Sequence, residues 1–422
     1  MKIKTRILAL VVAFACIMPM TGFMEEVKDS SEIKDSSDEM AQALTENYGV
    51  TSLQYALIDN GEIVKSDKAG VYSKTENRAL TNEIMYGIGS ISKMYTTAAV
   101  MKLVDNEKLE LDTPLVNYIP EFVMADSRYK LITPRMLLNH SAGLYGTGYN
   151  RSFLFDDNDT FAHDNLLNRL ASENLKADPG AFSVYCNDGF TLAEILVEKV
   201  SGISFTEFLD KEFFTPLNLK NTKTPLSDFD HKNLAKTYSP FDGTATLRDT
   251  INVIGAGGVY STAEEVCKFG DLLTGRYPEL LSKESVEAMQ QSEYLKGVWP
   301  DSEDSIIGYG LGWDSVNMYP FNQYGIKAYT KGGDTGLYHA SIVSVPQYNI
   351  SATVLESGGS SIFATIMASQ MILERLLERG VIDEIKEQMT FTAPVKTPMP
   401  EGIESFSGAY AATGNGINVK IS

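Results

Sequence analysis

"GIGSISKMYTTAAVMKL" (87–103) opens like a helix but carries two serines and a lysine at its start. An apolar set follows, Met94, Ala98, Met101 and Leu103 with Val100 beside them, the pattern of a helix face turned to a core. Positions i and i+3 of a helix share a face, so Ser90 Oγ and Lys93 Nζ would meet there. Serine attacks poorly until a base takes its proton, and lysine becomes a base when burial disfavours its charge. The stretch therefore reads in two ways: a helix cap with a solvated neighbour, or a nucleophile with its base. A second S-x-x-K, Ser31-Glu32-Ile33-Lys34, lies in an acidic stretch where nothing would desolvate the lysine. The Ser90 copy follows a strand-like segment and heads an apolar helix, whose N-terminal dipole favours a serine alkoxide.

The chain has 422 residues and a formal net charge of -19. Its apolar, charged and aromatic fractions suit a globular protein with a real core. The acidic balance, with no long basic run, excludes nucleic acid as a partner, because phosphate binding needs clustered Lys and Arg. Lys2, Lys4 and Arg6 precede an apolar run from Ile7 to Met20, so residues 1–23 read as a signal segment and the chain as exported. "AFAC" (13–16) offers a cleavage site and resembles a lipoprotein signal at Cys16, so cleavage, lipidation and an uncleaved anchor all stay open. "MEEVKDSSEIKDSSDEM" (24–40) reads as an acidic tether, and membrane contact is expected only through this N-terminal part. Three cysteines, Cys16, Cys186 and Cys267, give no disulfide framework. Cys267 reads as a small buried residue on a helix face.

Strand signals stand at both ends of the chain. Residues 52–73 form a hairpin pattern around Asp59-Asn60-Gly61. "SIIGYGLGWDSV" (305–316), "KAYTKGG" (327–333), "HASIVSVPQ" (339–347) and "ISATVLES" (350–357) look like successive antiparallel strands, and residues 362–380 like a closing helix. Between them, from about 109 to 249, helices and loops dominate. Caps there include Ser204 with Glu207, and Thr133 before Pro134. The expected fold is α/β in the α+β sense: an antiparallel sheet flanked by helices, with a helical lobe and a site in the cleft between them. The main domain is expected over 41–385, a proline-rich linker over 386–402, and the start of a small β module, incomplete, over 403–422.

Two further motifs carry chemistry. In "VYCND" (184–188) the phenol of Tyr185 could relay a proton and the amide of Asn187 could hold a substrate carbonyl. The plainer reading is a surface tyrosine and a helix cap. In "YTKGGDTGLYHA" (329–340) Lys331 precedes Gly332 and Gly333, which would let a substrate approach the backbone. The Asp334 N–H could then join that of Ser90 in an oxyanion hole. The plainer reading is a bulge or turn. No G-x-S-x-G elbow surrounds any serine, no H-E-x-x-H occurs among the four histidines, and "GAGG" (255–258) is too short for a dinucleotide fingerprint.

"SISK", "YCN" and "KGG", in that order, resemble the serine β-lactamases and penicillin-binding proteins, within them the class C β-lactamase, DD-peptidase and esterase branch. "ITPRMLLNHSAGL" (132–144), "FTPLNLKNT" (214–222), "GAGGVYSTAEEVCKF" (255–269) and "YGLGW" (309–313) look like text of the same family, and the likeness runs from about Leu53 to Glu378. "SFSGAY" (405–410) resembles the opening of a β-barrel module found in some members. The resemblance implies a β-lactamase/transpeptidase-like fold and a serine hydrolase without metal or cofactor. It implies Ser90 as acylated nucleophile, Lys93 and Tyr185 sharing acid–base work, Asn187, Lys331, Gly332 and Gly333 binding substrate, and the Ser90 and Asp334 N–H groups as oxyanion hole. The substrate expected is a small peptide, ester or β-lactam-like compound. The alternative is a β-lactamase, or a penicillin-binding sensor that turns nothing over. Gly332 departs from the Thr or Ser of many relatives, which removes a hydroxyl that helps hold a substrate carboxylate. Cys186 is the variable middle position, with no catalytic role expected.

Overall fold

The computed structural model describes residues 37–148, 150–240, 242–295, 308–386, 408–411 and 418–421. The signal segment with Cys16, the Ser31–Lys34 copy, most of the tether and nearly all of the linker lie outside the described residues.

Helix α1 (Ser37–Asn47) leads into β1 (Ser52–Asp59), which turns at Asn60-Gly61 into β2 (Glu62–Gly70). After helix α2 (Ser92–Asp105) the chain leaves the sheet for helices and loops, among them α3 (Asn187–Ser201) and α4 (Ala263–Leu272). It returns through β3 (Tyr329–Asp334), β4 (Tyr338–Val345) and β5 (Ile350–Ser357) to the closing helix α5 (Ser361–Glu378). The five strands form one antiparallel sheet in the order β2-β1-β5-β4-β3, so both ends of the chain build it. The central strands β1 and β5 are buried at every residue, as strands covered on both faces must be. On one face α1 and α5 pack through Leu44, Met371 and Leu376 onto Leu53 and Val354. On the other, Val266, Phe269 and Leu272 of α4 join Ala56, Leu355 and the α2 residues Met94 and Ala98 in the larger core. Each of the larger of these side chains, Val, Leu, Met or Phe, contributes about 1.5–3 kcal/mol when fully buried.

Three boundaries differ from the sequence reading. Residues 37–40, read as tether, belong to the domain: Ser37 Oγ donates to Glu374 Oε2 at 2.9 Å and Tyr55 Oη donates to Asp38 at 2.8 Å. Residues 308–316, read as a strand, form a loop with isolated bridges from Ser315 to Gly308 and Thr330. Gly312, at φ +83, breaks the alternation a strand needs. A short ladder, Phe153–Phe155 with Asp249–Ile251, crosses the helical lobe. The strands Gly408–Ala411 and Asn418–Ile421 pair antiparallel.

The Ser90 segment sits where this sheet meets the lobe. Tyr86–Gly87 pairs with Tyr260–Ser261, and the chain then enters a tight 3₁₀ turn, Gly89–Ile91, before α2. The edge strand β3 lies hard against this turn. A Cβ on Gly333 would stand 2.0 Å from Ile88 O and 3.0 Å from Ile91 N. Glycine is thus required at 333 for the protein's own backbone to close up. Gly333→Ala should cost about 1–3 kcal/mol of stability through this overpacking and cut activity by pushing β3 away from Ser90. Urea unfolding and ester turnover measured on the same samples check both effects.

Candidate active site

Ser90 lies in the 3₁₀ turn and does not cap α2. Ser92 holds the turn instead: its Oγ donates to Gly89 O at 2.7 Å and accepts from Val259 N at 3.0 Å. One turn on, the Lys93 side chain is wholly buried and its Nζ stands 2.9 Å from Ser90 Oγ. Nζ has two further neighbours, both acceptors: Asn187 Oδ1 at 2.7 Å and Ala256 O at 2.5 Å. A neutral amine has two N–H donors and one lone pair. The two donors match Asn187 and Ala256, which leaves the lone pair facing the serine hydroxyl. Burial, and then the nearby Lys331 ammonium, hold the Lys93 pKa well below its ordinary value. The arrangement can therefore take a proton from Ser90.

Each neighbour of Lys93 is itself fixed. Asn187 is the first residue of α3 and donates through Nδ2 to Thr147 Oγ1 at 2.9 Å. The residue that caps α3 is Cys186, whose Sγ accepts from Gly189 N at 3.4 Å and donates to Gly146 O at 3.2 Å. Burial pushes that thiol up to about 12, so it stays protonated and structural. Ala256 belongs to the short helical turn Ile254–Gly257. The buried Glu194 accepts from Gly255 N at 2.7 Å and Thr96 Oγ1 donates to Gly255 O at 2.8 Å, which together aim the next carbonyl at the lysine. "GAGG" thus has a task that sequence reading left unassigned.

Tyr185 stands between the two lysines, with its ring centroid 4.9 Å from Lys93 Nζ and 5.2 Å from Lys331 Nζ. Burial raises its pKa despite the opposing pull of Lys331, so the phenol keeps its proton until chemistry demands it. Lys331 donates to Tyr185 Oη at 3.3 Å and to both oxygens of Asp314 at 2.9 Å. Burial works against its charge, but Asp314 and Tyr185 outweigh this and hold its pKa above the ordinary value. Asp314 was not singled out in the sequence. Its signal was the residue after "YGLGW", hidden in a segment read as strand. His140 was also missed. Its ring lies 4.4 Å from that of Tyr185, and its Nδ1 accepts from Cys186 N at 3.1 Å. Burial first, and the Lys331 ammonium beside it, hold the imidazole pKa well below its ordinary value.

The sheet edge supplies the last element. Thr335 N donates to Tyr338 O, so by the alternation of an antiparallel ladder the N–H groups of Thr330, Gly332 and Asp334 point outward from β3. Thr330 N donates to Ser315 O at 3.0 Å and Gly332 N to Asp314 Oδ2 at 3.0 Å. Asp334 N faces the nucleophile turn: a Cβ on Gly89, which has φ +49, would come within 2.5 Å of it. Of the residues the sequence singled out, Ser90, Lys93, Tyr185, Asn187, Lys331, Gly332, Gly333 and Asp334 all meet at this junction. The Asn187 amide, expected to hold a substrate carbonyl, is engaged at both ends, Oδ1 by Lys93 and Nδ2 by Thr147 Oγ1. Among the described residues no cluster of three or more His, Cys, Asp or Glu could hold a metal ion.

Three outcomes follow from the opposite charge states of the lysines. Lys93→Arg should lose nearly as much turnover as Lys93→Ala, because arginine cannot give up its proton in a protein. In the wild type, kcat/KM for an uncharged ester should fall as pH drops through the depressed Lys93 pKa and hold into the alkaline range, where Tyr185 is still protonated. Lys331→Met removes the cation that depresses Lys93, so the acid limb of that profile should move to higher pH. A pH–rate series on both proteins reads the shift and its sign.

The Beta-lactamase family profile matches residues 37–374 of the chain. Penicillin-binding protein 4 of Amycolatopsis lactamdurans is 26% identical over 392 residues, 89% of this chain and 97% of that protein. The D-alanyl-D-alanine-carboxypeptidase/endopeptidase AmpH of Escherichia coli is 24% identical over 359 residues, 81% and 89% of the two chains. Among solved structures, a class C β-lactamase in complex with cefoxitin superposes with TM-score 0.67 at 19% identity, covering 82% of this chain and 99% of that one. The octameric penicillin-binding protein homologue from Pyrococcus abyssi gives TM-score 0.65 at 24% identity, covering 80% and 75%. With this fold and this profile over most of its length, the chain belongs to the Beta-lactamase family and is a serine hydrolase of the β-lactamase and penicillin-binding protein type.

Proposed function

We propose that the protein is an exported hydrolase that opens amide or ester bonds through an acyl-enzyme on Ser90, acting on small peptide or cell-wall-type substrates. The observation that carries this reading is the wholly buried Lys93, whose Nζ stands 2.9 Å from Ser90 Oγ and has in Asn187 Oδ1 and Ala256 O two acceptors for the N–H groups of its neutral form. Lys93 Nζ accepts the Ser90 proton as Oγ attacks the carbonyl carbon. The oxyanion that forms is received by the N–H groups of Ser90 and Asp334. Tyr185 gives its proton to the departing nitrogen or oxygen, and the Lys331 ammonium beside it eases the transient phenolate. Water then attacks the acyl ester and gives its proton to the Tyr185 phenolate, while Ser90 recovers its own from Lys93. The relatives that support the amide and ester side include the Escherichia coli carboxypeptidase/endopeptidase, an esterase, EstB, of Burkholderia gladioli, and a D-aminopeptidase of Brucella ovis. Export rests on the basic and apolar segment 1–23, and the domain limits and the roles of the individual residues belong to the same proposal.

Exposure to p-nitrophenyl acetate and to D-amino-acid amides, followed by intact-mass analysis and steady-state assay, tests the reading. Ser90→Ala should lose the acyl adduct and at least ~10³-fold in turnover, while Ser31→Ala should change neither. Stoichiometric labelling without turnover would instead favour a binding or sensing protein.

A further inference from the structure

The inference rests on the reading of Ser90 as nucleophile and narrows the substrate class. Tyr185 faces the departing group, and Lys331 stands beside its hydroxyl, so the ground around Lys331 and Gly332 is the leaving-group side of the site. A lysine there would ordinarily draw an anionic substituent. This one has no donor to offer. Its three N–H groups face four acceptors: both oxygens of Asp314 at 2.9 Å, Gly332 O at 2.8 Å and Tyr185 Oη at 3.3 Å. Its side chain is 1% exposed, whereas that of Asp314 is 32% exposed. An incoming group therefore meets the carboxylate, not the ammonium.

The rest of the wall has the same character. The Gly332 N–H is engaged by Asp314 Oδ2. A Cβ at 332 would fit in ordinary contact, its nearest neighbours being Ser361 Cβ and Oγ at 3.7 Å and Asp314 Oδ2 at 3.8 Å. Ser361 Oγ commits its hydrogen to Asp334 Oδ2 at 2.8 Å and so presents lone pairs. Burial works to protonate Asp334, but His339, with Nδ1 at 2.6 Å, and Ser361 hold the carboxyl below its ordinary pKa and keep it ionised. Among the described residues the wall thus presents acceptors: two carboxylates, one paired with the buried Lys331 ammonium and the other with the His339 imidazole.

We propose that this subsite takes a hydrogen-bond donor on the leaving group, an amide or an ammonium, and rejects a free carboxylate there. The substrate class is then a peptide cut at an internal or amidated position, or an uncharged ester, rather than one releasing an amino acid with a free C-terminal carboxylate.

The test compares N-acetyl-D-alanyl-D-alanine with its C-terminal amide at low ionic strength. The readout is the apparent inhibition constant of each against p-nitrophenyl acetate hydrolysis, so it does not depend on the dipeptides being cleaved. The amide should bind at least tenfold tighter, and the gap should shrink as salt screens the repulsion. Asp314→Asn, equal in shape but uncharged, should narrow the ratio of the two constants by at least tenfold. Any general loss of activity falls on both compounds and cancels. Equal constants in the wild type, a preference for the carboxylate, no inhibition by either, or a ratio untouched by both salt and Asp314→Asn would overturn the proposal. The ester control separates the two levels: if its hydrolysis survives Ser90→Ala, it is the reading of Ser90 that fails.

Discussion

Two buried lysines that flank one tyrosine and are driven to opposite charge states govern the layout of this site. Burying an ammonium without a counter-charge costs several kcal/mol, and a lysine relieves that cost by releasing its proton. Lys93 and Lys331 meet the same burial and take opposite protonation states. The difference is Asp314: it pairs Lys331 at 2.9 Å, whereas the neighbours of Lys93 are a hydroxyl, an amide and a peptide carbonyl. With Lys331 fixed as the cation, its field presses the proton off Lys93. One carboxylate thus sets the charge of both amines.

The neutral amine in turn demands acceptors placed to a few tenths of an ångström, and the lobe is built around supplying them. Cys186 caps α3 so that Asn187 begins the helix facing Lys93. Glu194, two turns along the same helix, grips Gly255 N and so aims Ala256 O. Burial lifts the Glu194 carboxyl to about 7 against the opposing charge of His163, a strain tolerated because the carboxylate fixes the peptide that fixes the base. Helix α3 therefore serves Lys93 twice, at its first residue and at its eighth.

The sequence revealed this site unevenly, for physical reasons. Ser90, Lys93, Tyr185, Asn187 and Lys331 could be found because nucleophile, base, acid and cation are residue types whose chemistry is legible one at a time. The sheet built from both ends was legible from strand alternation in 52–70 and 329–357. Asp314, His140 and Glu194 were not. Each acts through a contact made only after folding: Asp314 reaches β3 from a loop whose glycines disguise its turn, His140 meets Tyr185 across 45 residues, and Glu194 reads as an ordinary polar position on an amphipathic helix. The cap of α3 was hidden for a related reason, since a buried thiol takes the place of a serine hydroxyl when the backbone brings it to the N-terminus.

The edge of β3 shows how one strand divides its work. Three N–H groups point away from the sheet at Thr330, Gly332 and Asp334, a row that in isolation would invite another strand to pair. The loop 308–316 covers the first two through Ser315 O and Asp314 Oδ2, so the edge is closed to a partner over most of its length. Gly333 lets the strand press onto the Ile88 carbonyl, and that brings the third N–H, at Asp334, to the serine turn. The same aspartate that neutralises Lys331 therefore also ends the exposed ladder one step short of the nucleophile. Protection of the sheet edge, the charge of the lysine pair and the acceptor wall beside Gly332 all meet in one side chain, so no substitution at Asp314 can alter substrate preference without also reaching the base at Lys93.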